Sequence, residues 1–246
     1  VIRTTCLSLA APAGNAPPRI CETPAGMLNA IGLQNVGVET FLRDKLPRLR
    51  KLGVTVVANV WGDLEEDYVA VVRALEEAEG LAAIELNISC PNIAHGLDFG
   101  RDPEAAARLV AAVRAVTERC VIVKLSPNVT DIAAIARAVE EAGADAVSAV
   151  NTYVGRKIHR ASGRSVLPLG TGGLSGPAIQ PLALAAVASI CEAVHIPVIG
   201  VGGIVDAASA RDFLTVGAQA VQVGTATLVN PDTAPDGRDG LTQVTA

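Results

Sequence analysis

The stretch VIVKLSPNVTDIAAIARAVEEAGADAVSAVNT, residues 121–152, decides the fold. It opens on a β-branched run, Val121–Ser126, and turns at Pro127–Asn128. It continues as an Ala-rich segment, Asp131–Ala142, with apolar residues at helical spacing. Thr130 or Asp131 can cap that helix, and Gly143 sits where it hands over to the next strand. A second apolar run, Ala146–Thr152, follows. Strands so continuously apolar belong to a parallel sheet covered by helices.

The same unit recurs in both directions. Strands are predicted at Val1–Thr5, Thr55–Val60, Ala83–Ser89, Val121–Ser126, Ala146–Thr152, Pro197–Gly203 and Ala220–Thr225. Helices are predicted at Val38–Leu52, Leu64–Glu79, Pro103–Thr117, Asp131–Ala142, Pro177–Val194 and Ala207–Val216. Asp102, Pro103 and Glu104 give one helix its cap, its first-turn proline and its acidic start. Repeated strand–helix units in 246 residues suit either an open doubly wound sheet or a (β/α)8 barrel. No GxGxxG turn follows the first strand, which weakens the dinucleotide-binding version. The expectation is an α/β fold, a (β/α)8 TIM barrel of which seven of eight strands are read. Leu7–Leu28 is a Pro/Gly-rich connection of functional length. Asn230–Ala246 is polar and reads as a loose tail, leaving 1–229 as the folded domain.

Composition excludes several classes. Hydrophobic residues make up 50%, charged residues 18% and aromatics only 2%, so the core must be aliphatic. A net charge of −5 without a basic run argues against nucleic acid or an anionic membrane surface as partner. No unbroken apolar stretch of about 18 residues predicts a membrane span. Five scattered cysteines suit free thiols in a reducing compartment. Cys6, Cys21, Cys120 and Cys191 read as structural. Without CxxC or HExxH spacing, and with the three histidines far apart, no metal site is expected.

The polar residues cluster at strand ends. Asn59, Asn87, Cys90, Lys124, Asn151 and Thr152 each end or follow an apolar strand, and Gly202–Gly203 and Gly224–Thr225 end the last two. Barrel active sites are built at the carboxyl ends of the strands, and phosphate sites at the last two loops. Glycines there either turn the chain or let backbone N–H groups approach a phosphate. Lys124, inside an apolar strand, either joins an ion pair, steadies a negative charge or forms a Schiff base. Cys90 is either an inert core thiol or a reactive one. Several Asn side chains on one face (Asn29, Asn59, Asn87, Asn151) suit a planar heterocycle with amide edges.

The motifs together resemble dihydroorotate dehydrogenase. They are NISCPN at 87–92, VKLSPN at 123–128, NT at 151–152, GGLSGP at 172–177 and the two late glycine pairs. GMLNAIGLQN at 26–35 resembles class 1B, the NAD-dependent type, and the match runs from about Arg19 to Pro231. The resemblance implies a TIM barrel that binds FMN and oxidises dihydroorotate to orotate in pyrimidine biosynthesis. It implies Cys90 as the base and Lys124 beside the flavin. Arg3, Asn29, Ala30, Ile31, Gly32, Leu33, Asn87, Asn151 and Thr152 would hold the pyrimidine. Arg3, Thr4, Asn59, Asn87, Lys124, Val150, Gly176, Gly202, Gly203, Gly224 and Thr225 would hold FMN. Arg3 stands where the family has a lysine, a larger and forked replacement. The family's first strand–helix unit and closing helix are not recognised in this sequence. The resemblance further implies a cytoplasmic homodimer joined by an electron-transfer subunit, which carries FAD and a 2Fe–2S cluster. Two readings stay open beside it: a related flavin barrel acting on another dihydropyrimidine, and a chain without activity.

Overall fold

The computed structural model describes residues 1–89 and 99–242. Among these residues the strands are β1 Ile2–Arg3, β2 Ile20–Thr23, β3 Gly26–Asn29, β4 Val56–Val60, β5 Leu81–Asn87 and β6 Cys120–Lys124. They continue as β7 Ala146–Ala149, β8 Tyr153–Gly155, β9 Gly172–Ser175, β10 Val198–Val201 and β11 Ala220–Gln222. The α-helices are α1 Gly37–Thr40, α2 Leu46–Lys51, α3 Glu65–Glu76, α4 Pro103–Arg114 and α5 Ile132–Glu141, then α6 Gln180–Ala193, α7 Ala207–Thr215, α8 Ala226–Val229 and α9 Thr233–Thr242. Every strand read from the sequence is present, and every helix except the single one read over Val38–Leu52, with ends shifted by a few residues. The main sheet has the order β1-β4-β5-β6-β7-β10-β11, and β1/β4, β4/β5, β5/β6 and β10/β11 pair in parallel. The fold is α/β, with the sequential strand order of a (β/α)8 barrel.

The chain forms two compact units. The first comprises Val1–Gly14, Gly32–Leu125 and Ala134–Val147. Its strand β4 is buried throughout, and β5 from Ala83 onward. Helix α4 buries Ala105, Ala106, Leu109, Val110 and Val113, one face at helical spacing. Each Leu or Val so buried contributes about 1.5–3 kcal/mol. The Asp102 side chain accepts from Glu104 N at 2.9 Å, the predicted cap. Arg119 donates to the carbonyls of Glu76, Ala78 and Leu81, tying the end of α3 to β5. The single helix predicted over Val38–Leu52 is instead α1, a π-helical turn at Phe41–Lys45, and α2. Pro47 has no N–H to return to Arg43, and its ring crowds that carbonyl. The wider turn absorbs the misfit: Leu46 N donates to Phe41 O, five residues back.

The second unit comprises Asn15–Ile31, Ser126–Ala133 and Ser148–Ala246. It contains an antiparallel sheet, β2-β3-β9-β8, that the sequence reading does not contain. β2 and β3 form a hairpin with Ile20 opposite Asn29 and Thr23 opposite Gly26. The connection read over Leu7–Leu28 therefore holds strand structure in its second half. The expected loose tail also differs, since Thr233–Thr242 is helical. Asn230 starts the segment: its Oδ1 accepts from Asp232 N at 3.1 Å, and its carbonyl accepts from Thr233 Oγ1 at 2.7 Å. A Cβ on Gly240 would lie 2.7 Å from Ala207 Cβ. The glycine that reads as a breaker is what lets α9 press against α7. Among the described residues, no helix is long and apolar enough to cross a membrane.

Candidate active site

In the first unit, five of the residues singled out from the sequence meet at the ends of β1, β4, β5 and β6. The parallel register sets Asn59 opposite Glu85 and Asn87 opposite Lys124. The Glu85 carboxylate is fully buried. It accepts from Asn59 Nδ2 at 2.6 Å and pairs with Arg3 Nη1 at 3.2 Å. Thr4 Oγ1 accepts from Asn59 N at 3.0 Å. Cys6 donates to Asn59 Oδ1 at 2.7 Å and accepts from Asn87 Nδ2 at 3.1 Å. Ser89 donates to Asn87 Oδ1 at 2.7 Å. Tyr68, itself buried, donates to Asn87 O at 2.8 Å and packs edge-on to Phe99.

Lys124 is 5% exposed, and its Nζ has no hydrogen-bond partner among the described residues. Burial lowers its pKa from 10.5 to about 8. Glu85 and Cys6 oppose that shift, and Arg3 adds to it. A buried ammonium without a hydrogen bond is costly, so the position calls for a ligand that supplies an acceptor or a negative charge.

Gly32 and Leu33 also lie in this unit. Leu33 takes the left-handed conformation, φ +57°, which a branched side chain rarely adopts. Asn35 holds it there, donating to Leu33 O at 2.9 Å and to Ser8 Oγ at 2.8 Å. Such strain is concentrated where a ligand needs a fixed shape. Arg3 and Thr4 also border a cavity of about 690 Å³, lined further by Leu7, Phe41, Lys45 and Arg48. Asn59, Asn87 and Lys124 are not among its lining residues, so it is not the site read from the sequence. Cys90 lies outside the described residues.

The second unit brings together two further groups. Asn29 Nδ2 donates to Gly173 O at 3.4 Å. The Thr152 side chain sits where a Cβ on Gly173 would be. Asn29 and Thr152 therefore share one strand, β9, as neighbour. Thr152 N donates to Asn151 Oδ1 at 2.9 Å, and Asn128 fixes Thr152 O and Val154 N, each at 2.9 Å. Ala30 and Ile31 are bracketed by Asn15, which donates to both their carbonyls at 2.9 Å.

The other group is glycine-lined. Val150 N donates to Val201 O at 2.7 Å, which sets Val150 beside Gly202. Gly203 has φ +75°, and a Cβ there would lie 2.8 Å from Gln180 Cβ and 2.9 Å from Gly176 O. Packing alone accounts for that glycine. Gly224 differs, because nothing lies within 4 Å of where its Cβ would stand. The next residue, Thr225, donates from Oγ1 to Ser175 Oγ at 2.8 Å. Open backbone beside two hydroxyls is a cradle that a side chain would fill. The cradle fits the phosphate of the flavin mononucleotide that the sequence resemblance implies; in the first unit, taken by itself, the Lys124 Nζ, without a hydrogen-bond partner among the described residues, fits negative charge on its ring.

Sequence reading passed over Glu85, Cys6, Ser89, Asn128, Ser175 and Asn35. Glu85 carried a signal, being the one charged residue of LAAIELN. Cys6, read as structural, had none, because only the pairing of β1 with β4 brings it to Asn59.

Comparison with known proteins agrees in one direction. The family profile described as dihydroorotate dehydrogenase matches residues 1–244. Three curated relatives are each named dihydroorotate dehydrogenase B (NAD(+)), catalytic subunit. The protein from Trichlorobacter lovleyi is 52% identical over 241 residues, 98% of this chain and 79% of the relative. That from Pelobacter propionicus is 48% identical over 239 residues, 97% of this chain and 79% of the relative. That from Geobacillus kaustophilus is 49% identical over 223 residues, 90% of this chain and 71% of the relative.

Proposed function

The chain belongs to the dihydroorotate dehydrogenase family, and on that premise we propose that it oxidises dihydroorotate to orotate in pyrimidine biosynthesis, as the catalytic subunit of the NAD-dependent type. The observation that carries the reading is the buried Lys124 Nζ, without a hydrogen-bond partner among the described residues, beside the Asn59–Glu85–Asn87 cluster.

The flavin of the family is FMN in this proposal. The chemistry it supplies when bound is acceptance of a hydride from C6 of the pyrimidine. Lys124, Asn59, Asn87, Thr4, Arg3 and Val150 hold its ring. Gly176, Gly202, Gly203, Gly224 and Thr225 hold the rest, with the two late pairs at the phosphate. Asn29 to Leu33, Asn87, Asn151 and Thr152 hold the pyrimidine by donors and acceptors on amide and backbone. Arg3 also reaches the substrate.

Cys90 removes the proton from C5 as the C6 hydride departs. A thiol has an ordinary pKa of about 8.5, so the site must favour its thiolate or relay its proton. Lys124 keeps a positive charge where negative charge grows, which is worth more in a dry site than in water. Arg3 pairs with Glu85 at 3.2 Å, and Glu85 in turn raises the pKa of Lys124 against the effect of burial. Electrons then leave through a separate subunit that carries FAD and a 2Fe–2S cluster. The assembly is a homodimer joined by that subunit, in the cytoplasm.

Cys90→Ser tests the role assignment. The variant should retain FMN while its reduction by dihydroorotate slows by about a hundredfold or more; an unchanged rate refutes the base. Dihydrouracil, which lacks the carboxylate, should reduce the flavin far more slowly than dihydroorotate. Equal rates would point to another dihydropyrimidine as substrate.

A further inference from the structure

The hydrogen bonds around Cys6 run in one direction, and Glu85 dictates that direction. An ionised carboxylate only accepts. Asn59 must therefore turn its NH2 toward Glu85, at 2.6 Å, which leaves its Oδ1 facing Cys6. An amide oxygen only accepts as well, so the thiol proton lies on the Cys6–Asn59 line, at 2.7 Å. The sulfur then meets Asn87 with lone pairs, and Asn87 must turn its NH2 to it, at 3.1 Å. Asn87 Oδ1 is left to face Ser89, whose hydroxyl donates at 2.7 Å. The chain Ser89 → Asn87 → Cys6 → Asn59 → Glu85 has one allowed polarity.

Cys6 is the only link in that chain drawn from β1's side of the sheet, and it is the hinge between the two amides. It stands on the β1 side because the pairing with β4 slips. Ile2 and Arg3 pair with Val56 and Val57, whereas Leu7 pairs with Val60. One extra residue is thus accommodated between Arg3 and Leu7, which is a β-bulge. Bulges re-aim side chains next to active sites; here Arg3 reaches Glu85 and Cys6 reaches Asn59 and Asn87. Lys124, whose ammonium feels the charges of Glu85 and Arg3, sits beside the same chain.

We propose that Cys6 is a positioning residue that carries the acceptor polarity of Glu85 to Asn87, and so fixes which face of the Asn59 and Asn87 amides meets the flavin and the pyrimidine. An amide turned over by 180° exchanges donor for acceptor, and a ligand edge matched to one orientation meets like against like in the other. The inference rests on the proposal above that Asn59 and Asn87 contact FMN.

Three forms of the protein, each stripped of flavin and titrated with FMN, test it. Cys6→Val keeps the side-chain size and removes both the donor and the acceptor; Cys6→Ser keeps both. Cys6→Val should bind FMN about tenfold more weakly and show a displaced visible flavin band, with a cooperative melt retained. Cys6→Ser should return the affinity to within about threefold of the parent and restore the band. Equal FMN affinity and an unchanged band in Cys6→Val overturn the inference while leaving the flavin reading intact. If Cys6→Val fails to fold, Cys6→Ala carries the same comparison. If neither aliphatic variant folds and Cys6→Ser folds and binds FMN, the polar role stands; if Cys6→Ser also fails to fold, the position serves folding rather than the polarity of the amides, and the inference falls. A parent protein that binds no FMN overturns the flavin reading, and the inference with it.

Discussion

Lys124 concentrates the argument at the scale of single residues. Burial lowers its pKa to about 8, while the unfolded chain keeps the ordinary 10.5. Between those values the unfolded state binds more protons than the folded one, so stability rises with pH over that window. Below about pH 8 the full cost of burying the charge is present. Removing the charge should therefore stabilise the flavin-free protein. Lys124→Met is expected to gain about 3 kcal/mol at neutral pH by chemical denaturation, and to lose the rise above pH 8. The same variant should bind FMN more weakly at neutral pH, since a cation kept at such a cost serves a ligand; undiminished affinity would make Lys124 structural. This residue was legible in the sequence because a lysine in an apolar strand breaks a pattern. Asn59 and Asn87 were legible for the same reason. Glu85 broke the pattern of its own strand too, yet its role appears only with its partners: Asn59 is 26 positions away, and Arg3 stands on another strand. Cys6 broke no pattern at all.

At the scale of elements, the parallel strands were readable because each is a continuous apolar run closed by turn chemistry. β2, β3, β8 and β9 were not. They are three or four residues long and half-exposed, and three of them contain glycine. Their partners are distant: Asn29 lies 144 positions from Gly173. Local propensity says little when pairing across such a distance decides the outcome. The glycines at the ends of the last two parallel strands show how similar sequence signals separate in three dimensions. Gly203 is required by its own packing and conformation, and Gly224 is not. Gly224→Val should therefore leave the melting temperature nearly unchanged while FMN affinity falls about tenfold or more, because the side chain fills the cradle. A loss of stability with affinity intact would return Gly224 to the fold. Helix α9 supplies the opposite case. Its glycines and aspartates read as a loose tail, but Gly240 is a contact point on α7. Gly240→Val should destabilise the protein by about 1–3 kcal/mol, the cost of overpacking, as read by thermal unfolding.

At the scale of the whole molecule, the composition now has a structural meaning. With 2% aromatics, the parallel strands are filled by Val, Ile, Leu and Ala, and the polar groups assigned to planar ligands are those of Asn, Thr, Lys, Arg and backbone. The fold class followed from strand–helix alternation, and the family from ordered motifs at strand ends. The two compact units and the antiparallel sheet followed from neither, because both arise from contacts between segments far apart in sequence. The central claim is that this chain uses a bound flavin to oxidise dihydroorotate. The most direct measurement is to load the purified chain with FMN, add dihydroorotate without oxygen, and record the visible flavin band. The band should bleach, with one orotate formed per flavin reduced. A protein that holds FMN and keeps its band in saturating dihydroorotate would contradict the account.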